Sequence, residues 1–527
     1  MNDLSPHSYQ KVWKGAMILT IAGIIIKILS AAYRVPFQNI VGDVGFYIYQ
    51  QVYPFYGVAI ILSTYGFPVV ISKFIAEHPE KTREHAARKI RWVSFCFLTV
   101  LGVSFFLLLY LGATHLAAFM GDLKLSVLIK IVAFSFLLMP LVSVWRGSFQ
   151  GLGEMTPTAV SQVSEQLIRV GTILVLSYLL VNAGFSLYEV GAGAIFGSVI
   201  GGFAAVLVLL TFYQKMKKKH TVVPSNILPS SKSIVKVLIL QGFTICISSL
   251  LLILFQMVDA FTIYAGLLES GVDEQQAKEL KGVYDRGQPL IQLGTVVATA
   301  FSLSLVPYII LSKSNEREVK EKISLSIRVS IGVGAGAAVG LAWLIKPVNV
   351  MLFSNENGYN VLLVLSLSIL FCSMALTAAA ILQGLGNPYL PALFVGIGIG
   401  LKYLLNDLLI STHSTLGAAV STLVAFSTVA VLLVLALKKK TGTSIFERMP
   451  TVPLLVSIGM MSAVLAVYLI LTDSLVGDNR TLATVQSMVG VMIGGITYLL
   501  ILIKNHFFTT EELMLLPLGK KLVKLLK

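Results

Sequence analysis

Long apolar runs, separated by short polar stretches, decide most of what this chain can fold into. About 20 mostly apolar residues are enough for a helix to cross the hydrocarbon core of a bilayer. Fourteen such runs can be placed, from 12–34 and 46–75 at the start to 452–472 and 481–503 at the end. They are too long for barrel strands and lack the alternation that barrel strands need. The chain is 56% hydrophobic and only 12% charged, against roughly 25% charged in soluble domains. Lipid-facing surface is the simplest place for the surplus. No polar stretch is long enough to form a separate soluble domain. The first run has no small-residue cleavage pattern, so it is expected to be a retained helix.

Charge tests the count independently, because cytoplasmic loops are enriched in Lys and Arg. With the N-terminus placed inside and the sides alternating, the inside segments hold 28 basic residues and the outside segments five. A missed helix would scramble this alternation downstream. Both termini are therefore expected in the cytoplasm. The net charge of +15 lies in these short inter-helix segments, which suits a membrane surface and not nucleic acid. Cys96, Cys246 and Cys372 fall singly in separate apolar runs, a spacing that supports neither disulfides nor a metal site.

An internal repeat divides the chain. Gln150-Gly151-Leu152-Gly153 recurs as Gln383-Gly384-Leu385-Gly386, and Arg169 recurs as Lys402, both at an offset of 233. Tyr49 and Pro54 recur as Tyr284 and Pro289 at an offset of 235. The offset crosses an even number of helices, so the copies share one orientation, which is a known transporter architecture. The expected fold is an all-α polytopic membrane protein of about 14 transmembrane helices. Two six-helix lobes stand in parallel repeat, with two further C-terminal helices. The expected boundaries are an N-terminal lobe at 1–214, a basic cytoplasmic linker at 215–235, a C-terminal lobe at 236–440, and the last two helices with a tail at 441–527.

The candidate functional residues are charges inside the membrane. A charge at the bilayer centre costs roughly 2.5–3.5 kcal/mol even on a lenient scale. Seven basic residues lie within or beside the spans: Lys27, Arg34, Lys130, Arg146, Arg169, Arg286 and Lys402. Four acids do likewise: Glu165, Asp259, Asp285 and Asp407. The surplus is positive, which suits an anionic cargo, and Arg can grip phosphate with its planar fork. Lys27 and Arg34 are seven apart, about two turns and on one helix face. Lys27, Arg34 and Arg286 are the expected substrate-binding group, with Asp285 tempering Arg286. Snorkelling to the interface is the alternative role for Arg34 and Arg286, and the expected one for Lys130 and Arg146. Glu165 and Arg169 are expected to pair at i,i+4. Asp259, Asn406 and Asp407 offer hard oxygen ligands that would bind sodium or carry a proton, coupling transport to an ion gradient. Pairing with Lys402 is their alternative role.

Walker A, GxSxG, HExxH and CxxC patterns are all missing. No enzyme is therefore expected, and no cofactor or metal beyond a coupling Na⁺ or H⁺. Nothing in the sequence implies an oligomer.

The markers Lys27-Ile-Leu-Ser-Ala-Ala-Tyr-Arg34-Val-Pro36, Tyr65-Gly66-Phe67-Pro68 and Tyr284-Asp285-Arg286, with the two Gln-Gly-Leu-Gly turns, carry a family resemblance. The chain resembles the multidrug/oligosaccharidyl-lipid/polysaccharide exporter superfamily over nearly its whole length. Within it, the chain looks most like the stage V sporulation protein B group of polysaccharide biosynthesis proteins, related to lipid II flippases. That resemblance implies a bacterial plasma-membrane flippase. Its cargo would be an undecaprenyl-linked cell-wall or polysaccharide precursor, moved from inner to outer leaflet by alternating access. It places the family's basic residues on Lys27, Arg34 and Arg286, and its sodium site on Asp259, Asn406, Asp407 and Thr422. Lys27 stands where Arg is usual, and the second helix carries Ser63 and Thr64 in place of a charge, so lipid II is not singled out as cargo. The rivals are a cation-coupled multidrug exporter of the same superfamily and a polytopic glycan-modifying enzyme.

Overall fold

A computed structural model describes residues 6–216, 229–304, 309, 315–442, 449–476 and 479–515. Most of the expected basic linker (217–228), Lys313, Arg448 and the C-terminal Lys520, Lys521, Lys524 and Lys527 lie outside them. Every regular element among the described residues is a helix. A helix satisfies its own backbone donors and acceptors where no water can.

The described residues hold twelve helical segments long and apolar enough to cross a membrane, and the fourteen expected runs map onto them unevenly. The difference lies in how runs join and break. Met17–Ala76 is one segment of 60 residues, and Tyr389–Thr441 another of 53. Each is far longer than the roughly 20 residues a span needs. Leu251–Glu269 and Ser231–Ser249 count separately although one apolar run covers most of both. The run expected at 283–312 yields a helix of only 18 described residues, Gly287–Ser304, which is not among the twelve.

The chain forms two compact units, Met1–Gly282 and Val283–Lys527. The first begins with α1 (Pro6–Ala32) and α2 (Arg34–Ile61). Gly42 interrupts α2 at φ 69°, ψ −176°, a conformation that only glycine adopts freely. A π-helical turn at Leu62–Gly66 leads into α3 (Phe67–Ala76). Pro68 lacks an N–H and so favours such a break. Then come α4 (Glu80–Phe119), α5 (Ser126–Gly151), α6 (Thr156–Asn182) and α7 (Leu187–Met216).

After the linker, α8 (Ser231–Val237), a second π-helical turn at Leu238–Gly242, α9 (Phe243–Ser249) and α10 (Leu251–Glu269) also pack into the first unit. The contacts are tight. Phe67 meets Phe243 edge-on, with centroids 5.9 Å apart. A Cβ on Gly66 would lie 2.1 Å from Cys246 Sγ, and one on Gly242 would lie 2.8 Å from Phe67. The two π-helical turns interlock because neither glycine carries a side chain. The unit boundary therefore falls inside α11 (Glu274–Asp285), later than the linker that divides the sequence repeats.

The second unit contains α12 (Gly287–Ser304), α13 (Glu316–Phe353), α14 (Tyr359–Gly384) and α15 (Tyr389–Thr441). Ser414 kinks α15 at φ 52°. It ends with α16 (Thr451–Val476), α17 (Arg480–Lys504) and α18 (Thr510–Leu515). These last helices dock on a glycine stripe of α13. Tyr498 donates to the Gly332 carbonyl at 2.5 Å, and a Cβ on Gly336 would sit 2.5 Å from its ring. Small residues thus let the helix backbones approach.

Both Gln-Gly-Leu-Gly turns close their helices in the same way. Gly153 and Gly386 sit at φ 82° and 90°. Their N–H groups reach the Gln150 and Gln383 carbonyls at 3.0 and 2.9 Å. Glycine suits this left-handed helix terminus because it carries no Cβ.

Candidate functional site

The first unit gathers its buried cations around tyrosines. Tyr49, Tyr53 and Tyr56 fall at i, i+4 and i+7 on α2, one face of the helix. Tyr33, at the joint of α1 and α2, hydrogen-bonds Tyr49 between hydroxyls at 2.8 Å. Arg34 is buried with its guanidinium 4.4 Å from the Tyr53 ring centre. Arg169, from α6, is 1% exposed and lies 4.9 Å from the Tyr56 ring and 5.3 Å from Tyr33. Tyr53 hydrogen-bonds both Ser30 and Arg169. Cation–π attraction offsets part of the cost of burying these charges, by up to about 2 kcal/mol each when desolvated. Lys27 is half-buried on α1.

Two roles expected from the sequence are corrected here. Glu165 pairs with Arg146 at 2.6 Å, not with Arg169. Arg146 is fully buried and does not snorkel. Its Nε donates to Ser161 Oγ at 3.0 Å and its Nη1 to Thr64 Oγ1 at 2.9 Å. The i,i+4 spacing alone cannot rank these partners, because α5 brings Arg146 to Glu165 from another helix. Arg169 is left with its Nε and Nη1 buried and without a hydrogen-bond partner.

In the second unit, Arg286 occupies the joint between α11 and α12 and is fully buried. Its Nη1 donates to Asn355 Oδ1 at 2.7 Å and to Asn349 Oδ1 at 3.2 Å. Phe353 lies beneath it at 5.1 Å. Asp285, its neighbour in sequence, is also buried. Both Arg34 and Arg286 are thus buried, which removes snorkelling as their role.

The residues expected to couple an ion come from both units. Asp259 is buried on α10 in the first unit. In the second unit Thr422 Oγ1 receives the ammonium of Lys402 and shares a 2.9 Å hydrogen bond with the Tyr284 hydroxyl. Asn406 is buried one turn beyond Lys402, whereas Asp407 is exposed. Adjacent residues on a helix point about 100° apart, so only one of the two can face the interior. Among the described residues no three His, Cys, Asp or Glu side chains converge as a metal site.

Residues 12–313 match the polysaccharide biosynthesis protein family. The chain belongs to that family. It is 46% identical, over 98% of its length and 97% of its relative's, to an uncharacterized membrane protein, YabM, of Bacillus subtilis (strain 168). It is 26% identical to the lipid II flippase MurJ of the same organism, over 93% of this chain and 94% of that one. The solved structure of a lipid II flippase MurJ in an inward closed conformation superposes with a TM-score of 0.64. That match covers 91% of this chain and 98% of the other at 14% identity, a likeness of fold. The chain is a multi-pass membrane protein of the bacterial plasma membrane, in a superfamily of flippases and transporters.

For this family member, sequence reasoning passed over Arg169, Lys402 and the tyrosines as site residues. The signal was present. Arg169 and Lys402, and Tyr49 and Tyr284, were already matched as repeat partners. Each basic residue proves to be tied to its copy's tyrosine chemistry, Arg169 directly through rings and Lys402 through Thr422.

Proposed function

We propose that this protein is a flippase that moves an anionic, undecaprenyl-linked cell-wall or polysaccharide precursor from the inner to the outer leaflet by alternating access. The burial of Arg34, Arg169 and Arg286 against rings, hydroxyls and neutral amides carries this reading. Arg is suited to pyrophosphate because its planar fork matches phosphate oxygens. The similarity to the lipid II flippase MurJ along almost the whole chain supports the same reading.

In this proposal Lys27, Arg34 and Arg286 bind the cargo, with Asp285 beside Arg286. The residues 1–214 and 236–440 act as the two lobes, crossing the membrane with the last two helices in fourteen passes and leaving both termini cytoplasmic. Asp259, Asn406, Asp407 and Thr422 serve coupling to Na⁺ or H⁺. Depletion of the known flippases in a host that carries this protein, with a leaflet-resolved assay of the precursor, tests the function. Precursor should reach the outer leaflet only when the protein is present. Retention in the inner leaflet would send the search to another anionic lipid-linked glycan. Replacing sodium in the same assay, and then collapsing the proton gradient, identifies the ion.

A further inference from the structure

Arg169 is the anomaly of the first unit. Taking a cation out of water costs several kcal/mol unless its hydrogen bonds are remade, and buried side-chain donors nearly always find partners. Yet Nε and Nη1 of Arg169 have none, and neither does the hydroxyl of Tyr56, whose ring lies 4.9 Å away. All three atoms can donate, and a guanidinium can only donate. Its neighbour Arg146 shows the contrast: all three of its nitrogens are taken by Ser161, Thr64 and Glu165. Tyr33 and Tyr56 already have guanidinium against them, as Tyr53 does, which leaves little stacking surface for a sugar. The nearest carboxylate, Glu165, lines the cavity beside Tyr56 but is taken by Arg146 at 2.6 Å, so these donors still lack an anionic acceptor of their own.

We propose that Arg169 and Tyr56, flanked by Arg34 and Tyr33, form an anion subsite that takes a phosphoryl or pyrophosphoryl group. The proposal rests on the flippase reading only for the identity of its physiological ligand. The subsite is closed in this conformation. The cavity that Tyr56 lines, shared with Ser63 and Glu165 and not with Arg169, measures about 20 Å³, room for one water and not for a phosphate. Opening it requires the rings to part. Gly42 lies between Tyr33–Arg34 and the Tyr49–Tyr56 face, in a backbone conformation that lets the two stretches bend against each other.

The test uses the full chain in phosphatidylcholine nanodiscs, titrated with sodium pyrophosphate at matched ionic strength and followed by calorimetry and thermal unfolding. A second arm places undecaprenyl pyrophosphate in the disc, which separates a lipid headgroup from free pyrophosphate. Arg169→Gln is expected to weaken binding on the order of 10–100-fold, the loss of a charge-assisted pair. Tyr56→Phe should weaken it roughly 2–10-fold, the loss of a neutral hydrogen bond. Lys130→Gln, an exposed charge on α5, should bind as the parent does. No binding by the parent in either arm would overturn the subsite, and would leave a trapped water as the partner of these donors. So would unchanged affinity in Arg169→Gln. If Arg169→Gln does not fold, Tyr56→Phe decides, and unchanged affinity there overturns the proposal. Binding lost in the variants while the parent moves no precursor would leave the subsite standing and sink the flippase reading instead.

Discussion

Arg169 and Lys402 occupy the same place in the two sequence repeats, and their surroundings differ in one respect. Both are buried in the helix that follows a Gln-Gly-Leu-Gly turn, and both are tied to tyrosines of their own copy. Lys402 is given a hydroxyl, Thr422 Oγ1, which Tyr284 also bonds. Arg169 is given aromatic faces and keeps two nitrogens without partners. The positions beside the tyrosines differ in the reverse sense. Gln50 and Gln51 of the first copy correspond to Asp285 and Arg286 of the second. The two copies share one repeat, and each buries an arginine at a different position on it, Arg169 in the first and Arg286 in the second.

The largest effects should come from the cations assigned to cargo. Arg286→Gln and Lys27→Ala are expected to abolish complementation of a flippase-depleted strain while the protein stays in the membrane at normal level. Full rescue by both variants would break the assignment of a cargo-facing cation to each copy. Arg146→Leu should instead act on stability, costing about 3–5 kcal/mol because it strands Glu165 as a buried unpaired charge. The double variant Arg146→Leu/Glu165→Leu should recover most of that loss, since neither charge remains. Denaturant unfolding of the two measures it. Equal instability of the single and double variants would show that the pair is not the source.

The fold was legible because lipid leaves few choices. Apolar length, the alternation of basic loops and the repeated turns all point to one all-helical architecture. The segment count was less legible. Gly42 and Ser414 bend helices without breaking them, and an apolar run does not show whether a bend divides it. The buried cations could be found by type and position, but their partners could not. Arg146 and Glu165 are 19 residues apart and meet only when α5 packs on α6. Asn406 and Asp407 looked like one oxygen cluster, yet neighbouring helix positions diverge.

A sharper test of the comparison replaces Arg169 with a side chain of similar length and no charge. Arg169→Met should stabilise the protein by about 1–4 kcal/mol, as replacement of buried charges by apolar side chains often does, while removing the response to pyrophosphate. A functional group that is strained in the resting fold behaves in this way. A lower unfolding midpoint would mean that the tyrosine rings compensate Arg169 fully, and the asymmetry between the copies would shrink to one of partner type.

The smallest expected effect lies in the second copy. Thr422→Val keeps the shape of the side chain and removes the oxygen that Lys402 and Tyr284 share. One neutral hydrogen bond contributes only about 0.5–1.5 kcal/mol net, but a buried donor left unsatisfied costs roughly 1–3 kcal/mol. A loss of about 1–3 kcal/mol is therefore expected in denaturant unfolding, with pyrophosphate affinity unchanged, because the proposed subsite is built from the first copy alone. Thr422→Val in the Arg169→Met background should add its cost independently, as separated sites do. An interaction energy above about 0.5 kcal/mol between the two would show that the copies share one network, and the contrast between a satisfied Lys402 and an unsatisfied Arg169 would have to be redrawn as one coupled site.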